Sequence, residues 1–135
     1  MALTDDFDPM FLAAFRAQPP DRAPVPALRA AAREVFSQLS PADLADIRQR
    51  TQLILSVPEL RAATIDGFIG TMRLLAKVVA ERVGRQPDEL AIRVLVGATI
   101  GAWTAAVLDA VEDPNVDLLA RMDEAIALLE AGLPL

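Results

Sequence analysis

The prolines of this chain stand where helices would begin or end. Ten of them punctuate its 135 residues. Inside a helix a proline deletes a backbone hydrogen bond and its ring collides with the preceding turn, whereas at the first helical position its missing N–H costs nothing. The spacing between them, with the apolar periodicity and the absence of strand-like alternation, predicts an all-α, single-domain bundle of about six helices. Asp8 reads as the N-cap of a first helix with Pro9 at its first position, ending before Pro19 and Pro20. Pro24 and Pro26 open a second helix over residues 24–39. Ser40-Pro41 repeats the cap-plus-proline signal, and Asp43 in the first turn favours the helix dipole, for a third helix ending near Val57. The fourth runs over residues 58–83, with Gly84 as its left-handed terminator. Residues 87–89 start the fifth, which lasts to Glu112; Asp113-Pro114-Asn115 breaks the chain before a sixth that ends at Gly132.

Helical periodicity assigns the inner faces. On the fourth helix Ile65, Phe68, Met72, Leu75, Val79 and Val83 form one stripe, opposite Asp66, Arg73, Lys77 and Glu81. Leu28, Ala32, Val35, Phe36 and Leu39 align on the second helix, and Leu44, Ile47, Thr51, Ile54 and Leu55 on the third. All three stripes are expected to face one core.

The fifth helix has two apolar faces. Ile92, Val96, Thr99, Trp103 and Val107 make a bulky one; Val94, Gly97, Ala98, Gly101, Ala102 and Ala105 make a small-residue one. Its uncharged run between Arg93 and Asp109 falls short of the roughly 18 residues of a membrane span and reads as a buried helix. Glycines within a helix cost about 1 kcal/mol each relative to alanine, and Gly97, Gly101 and Ala105 at four-residue spacing leave a groove for a close helix crossing. The sixth helix carries a wide stripe of Leu118, Leu119, Met122, Ala125, Ile126 and Leu129. Together these surfaces suggest a four-helix interface between two copies, through Val94, Gly97, Gly101 and Ala105 with Leu118, Leu119, Met122, Ile126 and Leu129. A crossing inside one subunit is the alternative.

Chemistry is narrowed by what is missing. Cysteine, histidine and tyrosine are absent, so there is no disulfide, no thiol nucleophile and no imidazole base or ligand. Acid pairs such as Asp43 with Asp46 and Asp109 with Glu112 lie on charged faces or helix ends, and read as solvated. No phosphate-cradling glycine loop occurs. Neither enzyme activity, a metal nor a cofactor is expected. With 13 basic against 19 acidic residues, a net charge of −6, the chain should not bind DNA by itself. Asp5, Asp6 and Asp8 stand where a secretory signal would be basic, so a cytoplasmic location is expected.

Phe11 and Phe15 on the first helix, Phe36 on the second, Phe68 and Met72 on the fourth and Trp103 on the fifth all lie on inward stripes, with Thr64, Thr71 and Thr99 nearby. They line either an apolar pocket with a few polar contacts or a filled core. Arg61 falls in the apolar sector at the start of the fourth helix, either to meet an anion or to lay its stem on the core and its head in water.

Two runs, FDPMFLAAFRAQP and LILSVPELRA, with the closing EAIALLEAGL, resemble the ligand-binding and dimerisation half of TetR-family transcriptional repressors, in particular the type with a mycofactocin-regulator-like C-terminal domain. The resemblance spans residues 5–133. It implies a cytoplasmic homodimer through the last two long helices, residues 87–112 and 115–131, and an effector held among Phe11, Phe15, Phe36, Arg61, Phe68, Met72, Thr99 and Trp103. For this type it implies fatty-acyl effectors such as acyl-coenzyme A. No stretch resembles the IAxxAGVSxxTxYxYF pattern of the family's DNA head, so the chain is expected to be a fragment whose intact protein binds DNA. The other expectation is a headless interaction module without a ligand.

Overall fold

The computed structural model describes the backbone of residues 2–135 and the side chains of residues 9–135. Among the described residues six helices follow one another: α1 (Ala2–Arg16), α2 (Pro24–Phe36), α3 (Pro41–Ser56), α4 (Pro58–Val83), α5 (Leu90–Glu112) and α6 (Leu118–Glu130). No strand occurs among the described residues, as the proline punctuation requires.

The end signals act largely as expected. Ser40 and Asp43 form a reciprocal capping box: the Asp43 N–H donates to the Ser40 hydroxyl at 3.1 Å and the Ser40 N–H to the Asp43 carboxylate at 2.9 Å. Hydrogen bonding to the carboxylate from the Ser40 backbone N–H, and then from the Ser40 side chain, holds the Asp43 carboxyl below its usual range. Gly84 terminates α4 in the left-handed region, φ +68°. At the other end Gly132, φ +83°, and the Leu133 N–H donating to the Leu128 carbonyl at 2.8 Å close α6 in a Schellman turn. Three starts differ. α1 runs through Pro9 rather than beginning there, and the side chain of Asp8 lies outside the described residues. Residues 87–89 form a turn in which the Gln86 N–H donates to the Glu89 carboxylate, so α5 begins at Leu90. α6 begins at Leu118 because Asp117, not the Pro114 region, caps it by accepting from the Ala120 N–H.

One end of the bundle is closely packed. α2 buries Ala27, Leu28, Ala31, Ala32, Val35 and Phe36, and its alanines let α1 and α6 approach. Phe11 and Phe15 of α1, the second half of α4 from Leu75 to Ala80, Ile92 and Val96 of α5 and Ile126 of α6 complete the core. Long-range polar contacts lock this end. Arg29 of α2 makes a bidentate contact with Asp123 of α6 at 2.8 and 3.0 Å and reaches Glu130 at 3.0 Å, while Arg33 binds the same Asp123 at 2.8 and 2.7 Å. The guanidinium of Arg82 on α4 donates to the Gln18, Pro19 and Arg22 carbonyls and sits 5.4 Å over the Phe15 ring, tying the α1–α2 turn to α4.

The other end is open. α3 buries no residue fully and packs against α4 and α5. The predicted α4 stripe therefore divides: Leu75 and Val79 are core, Met72 is half-buried, and Ile65, Phe68 and Val83 are exposed. On α5 the bulky face turns inward as expected, but the helix is not buried all round. Val94, Ala98, Gly101 and Ala105 form an exposed strip along it. Among the described residues α5 is the helix long and apolar enough, by length and composition alone, to cross a membrane, a test that the core helix of a soluble protein also passes. In this fold it packs between α4 and α6.

Candidate ligand cavity

Where α3 and the first half of α4 lean away from the packed end, a cavity of about 620 Å³ opens. Its far wall is α1 and α2, through Phe11, Leu12 and Phe36, followed by Leu39. α3 contributes Ile47, Thr51, Ile54 and Leu55; α4 contributes Ile65, Phe68, Leu74 and Leu75; α5 supplies Ile100, Trp103 and Val107, and α6 supplies Leu119 and Met122. The apolar stripes of α3 and of the first half of α4 both line this space and are not fully buried. The volume lies within the range of small-molecule sites, and the lining is mostly hydrocarbon.

α3 is held over the cavity by a side chain from its middle. The Arg48 guanidinium donates to the Ala110 and Val116 carbonyls, at the end of α5 and in the turn after it. Polar groups on the wall are sparse. The hydroxyls of Thr51, Thr64 and Thr104 each donate to a carbonyl one turn back on their own helix, at 2.8 Å in each case. Arg50 is engaged with Asp46 at 3.2 Å. Arg61, which the sequence leaves open between an anion and water, is exposed on the wall with no acidic partner among the described residues.

Trp103 is the most enclosed aromatic of the site's α5 wall. Its ring meets Phe11 edge-on with centroids 5.5 Å apart and Phe36 at 6.4 Å. Its indole Nε1 is buried and has no hydrogen-bond acceptor. Behind it lies a smaller cavity of about 260 Å³ that shares Phe36, Trp103, Leu119 and Met122 with the first and ends at Arg33 and Asp123. Asp123 is held far below the usual carboxylate range by hydrogen bonds from Arg29 and then Arg33. Arg29 is correspondingly raised, by Asp123 and then Glu130.

Of the predicted ligand-contacting residues, Phe11, Phe36, Arg61, Phe68 and Trp103 stand on the cavity wall. Three do not. Phe15, 1% exposed, is core beneath Arg82. Met72 turns its methyl toward Gly97, so that a Cβ added there would lie 3.4 Å from it, and fills the α4–α5 contact instead. Thr99 is fully buried, with its hydroxyl donating to the Leu95 carbonyl at 2.9 Å. The α3 wall was legible as a stripe, yet nothing in sequence shows that it covers a space and not a core. Leu119 and Met122, which the sequence places in an interface between two copies, line it as well.

That last point corrects the predicted interface. Leu118 and Ile126 are core of this subunit and Leu119 and Met122 face the cavities, because α6 turns its apolar stripe toward α2 and α5. Leu129 is half-buried, and the leucine that α6 does expose is Leu128. On α5 the residues expected at the interface lie as follows: Val94 is 59% exposed, Gly101 and Ala105 are exposed, and Gly97 is half covered by Met72. A Cβ added at Gly101 would meet nothing within 4 Å. Among the described residues no three acidic side chains converge as a metal site would need.

Comparison with known proteins agrees with this architecture. The profile of a family described as "MftR C-terminal domain", of TetR C-terminal type, matches residues 22–134. A Mycobacterium tuberculosis protein named "Putative mycofactocin biosynthesis transcriptional regulator MftR" is 28% identical over 107 residues, which are 79% of this chain and 54% of that protein. The chain thus spans about half the length of this relative.

Proposed function

From a chain that belongs to the MftR C-terminal domain family of TetR-type transcriptional regulators, we infer a division of labour in which residues 1–135 sense an apolar small-molecule effector and join two copies of a cytoplasmic repressor. The observation that carries this reading is the 620 Å³ apolar cavity. α1 is part of its wall through Phe11 and Leu12. An effector that fits one setting of α1 better than another shifts the balance between them, and in an intact regulator that setting controls the spacing of the DNA-binding heads.

Phe68 is the residue to perturb. It is 41% exposed and lines the cavity, so an arginine there has room for its head in water while its stem and charge occupy the apolar volume. Phe68→Arg is expected to abolish binding of a fatty-acyl probe such as dodecanoyl-coenzyme A, measured by calorimetry, with helix content and oligomeric state unchanged. Equal affinity in the variant refutes the cavity assignment. Dimerisation is assigned to the exposed α5 strip of Val94, Gly101 and Ala105, a face that accepts a close helix approach.

A further inference from the structure

Resting on the reading of the cavity as an effector site, we propose that Trp103 determines which effectors it accepts. Its indole N–H donates to a neutral, carbonyl-type oxygen of the effector, so the ligand is an apolar molecule with an acceptor oxygen buried beside α5 and not a bare hydrocarbon. Several observations converge. A buried donor without an acceptor is costly, and Trp103 Nε1 is the side-chain atom in that condition among the described residues. Trp103 belongs to the wall common to the larger and the smaller cavity, so its indole stands between the two spaces.

The surroundings leave the acceptor to the ligand. Phe11 and Phe36 flank the indole with their rings and offer no acceptor side chain. An ordered water needs about two to four polar partners, and this apolar corner is a poor home for one. The hydroxyls of Thr51, Thr64 and Thr104 spend their protons on helix carbonyls and keep acceptor lone pairs, but none reaches the indole N–H, and Arg50 and Arg61 only donate. The nearby carboxylate of Asp123 is committed to Arg29 and Arg33. Arg33, which bounds the smaller cavity, and Arg29 are engaged by Asp123 and Glu130, so neither is free to neutralise an anion beside the indole. A neutral oxygen is what this donor matches.

The chain has a single tryptophan, so its indole N–H gives one resonance. The test titrates the protein with benzylacetone and with its isostere in which a methylene group replaces the carbonyl oxygen, following the nitrogen–proton correlation spectrum. The ketone is expected to bind about tenfold more tightly, a factor corresponding to one hydrogen bond to a buried donor, and to move the indole proton downfield. Trp103→Phe, which keeps a ring but removes the N–H, should bring the two affinities together while the alkene still binds. Equal affinities in the parent protein, an unmoved indole resonance at saturation, or a preference that survives Trp103→Phe overturns the assignment of Trp103 and leaves the cavity standing. Binding of neither probe overturns both.

Discussion

Asp123 joins the two helices that frame the packed end of the bundle, and replacing it by asparagine tests how much that junction contributes. The substitution keeps the shape and removes the charge that Arg29 and Arg33 share. Arg29 and Asp123 have side chains 27% and 25% exposed, and their two parallel hydrogen bonds of 2.8 and 3.0 Å are of the stronger, charge-assisted kind. Arg33 is 60% exposed, so its arm counts for little after screening. Glu130 stays bound to Arg29 at 3.0 Å and limits the damage. The loss is then about 2 kcal/mol, most of it from the Arg29 pair. For a domain of this size that lowers Tm by roughly 8 °C, read by circular dichroism at fixed protein concentration because association shifts Tm.

The same variant has a pH signature. The folded-state pKa of Asp123 is depressed, so its contribution is fully present above the unfolded value of about 3.9 and is lost as pH falls toward the folded one. The gap between parent and Asp123→Asn should be constant from neutral pH down to about 5 and narrow below about 4. A Tm change under about 2 °C at neutral pH, or a gap that widens on acidification, refutes the reasoning.

Gly101→Leu separates fold from assembly: the added side chain meets nothing inside the subunit and improves helix propensity by about 0.8 kcal/mol, so a monomer would gain stability, whereas a dimer using this strip dissociates or aggregates in sedimentation. An unchanged dimer places the interface elsewhere. Gly84→Ala forces a side chain into φ +68° and should cost about 1 kcal/mol in urea melts. Ser40→Ala removes the acceptor of the α3 capping box and should cost about 1 kcal/mol, lost mainly as fraying of α3.

The helices were legible because their ends are local chemistry: Ser40 with Asp43 and Gly84 each act through neighbours one turn away. Pro9 misleads since Asp8-Pro9 is a valid start, yet α1 continues through it from Ala2. The inward stripes were legible too, but periodicity gives a direction and not a neighbour. Phe68 and Leu75 share one stripe of α4, and which faces a cavity and which faces core is decided by the lean of α3. For the same reason Leu118 and Ile126 could not be told from an interface. The contacts that fix the tertiary arrangement, Arg29 and Arg33 to Asp123 across some ninety residues and Arg82 to the α1–α2 turn, carry no local signal at all.

α3 shows what an open cavity does to the stability of its walls. It has no fully buried residue, and its apolar face looks into the space it encloses. What holds it is its cap, the α4 and α5 contacts and the Arg48 guanidinium on the carbonyls of Ala110 and Val116. Burial is the main favourable term in folding, so a helix that lacks it opens by local fluctuation well below the global free energy. Amides in the middle of α3 should exchange with solvent faster than those of α2, where six side chains including Leu28 and Phe36 are buried. A molecule filling the cavity supplies the missing apolar contacts, and protection should rise in α3 and the first half of α4 while α2 hardly changes. Hydrogen exchange with and without dodecanoyl-coenzyme A measures this. Protection of α3 equal to that of α2 in the free protein would mean the space is closed in solution, and the cavity would then be no site for an effector.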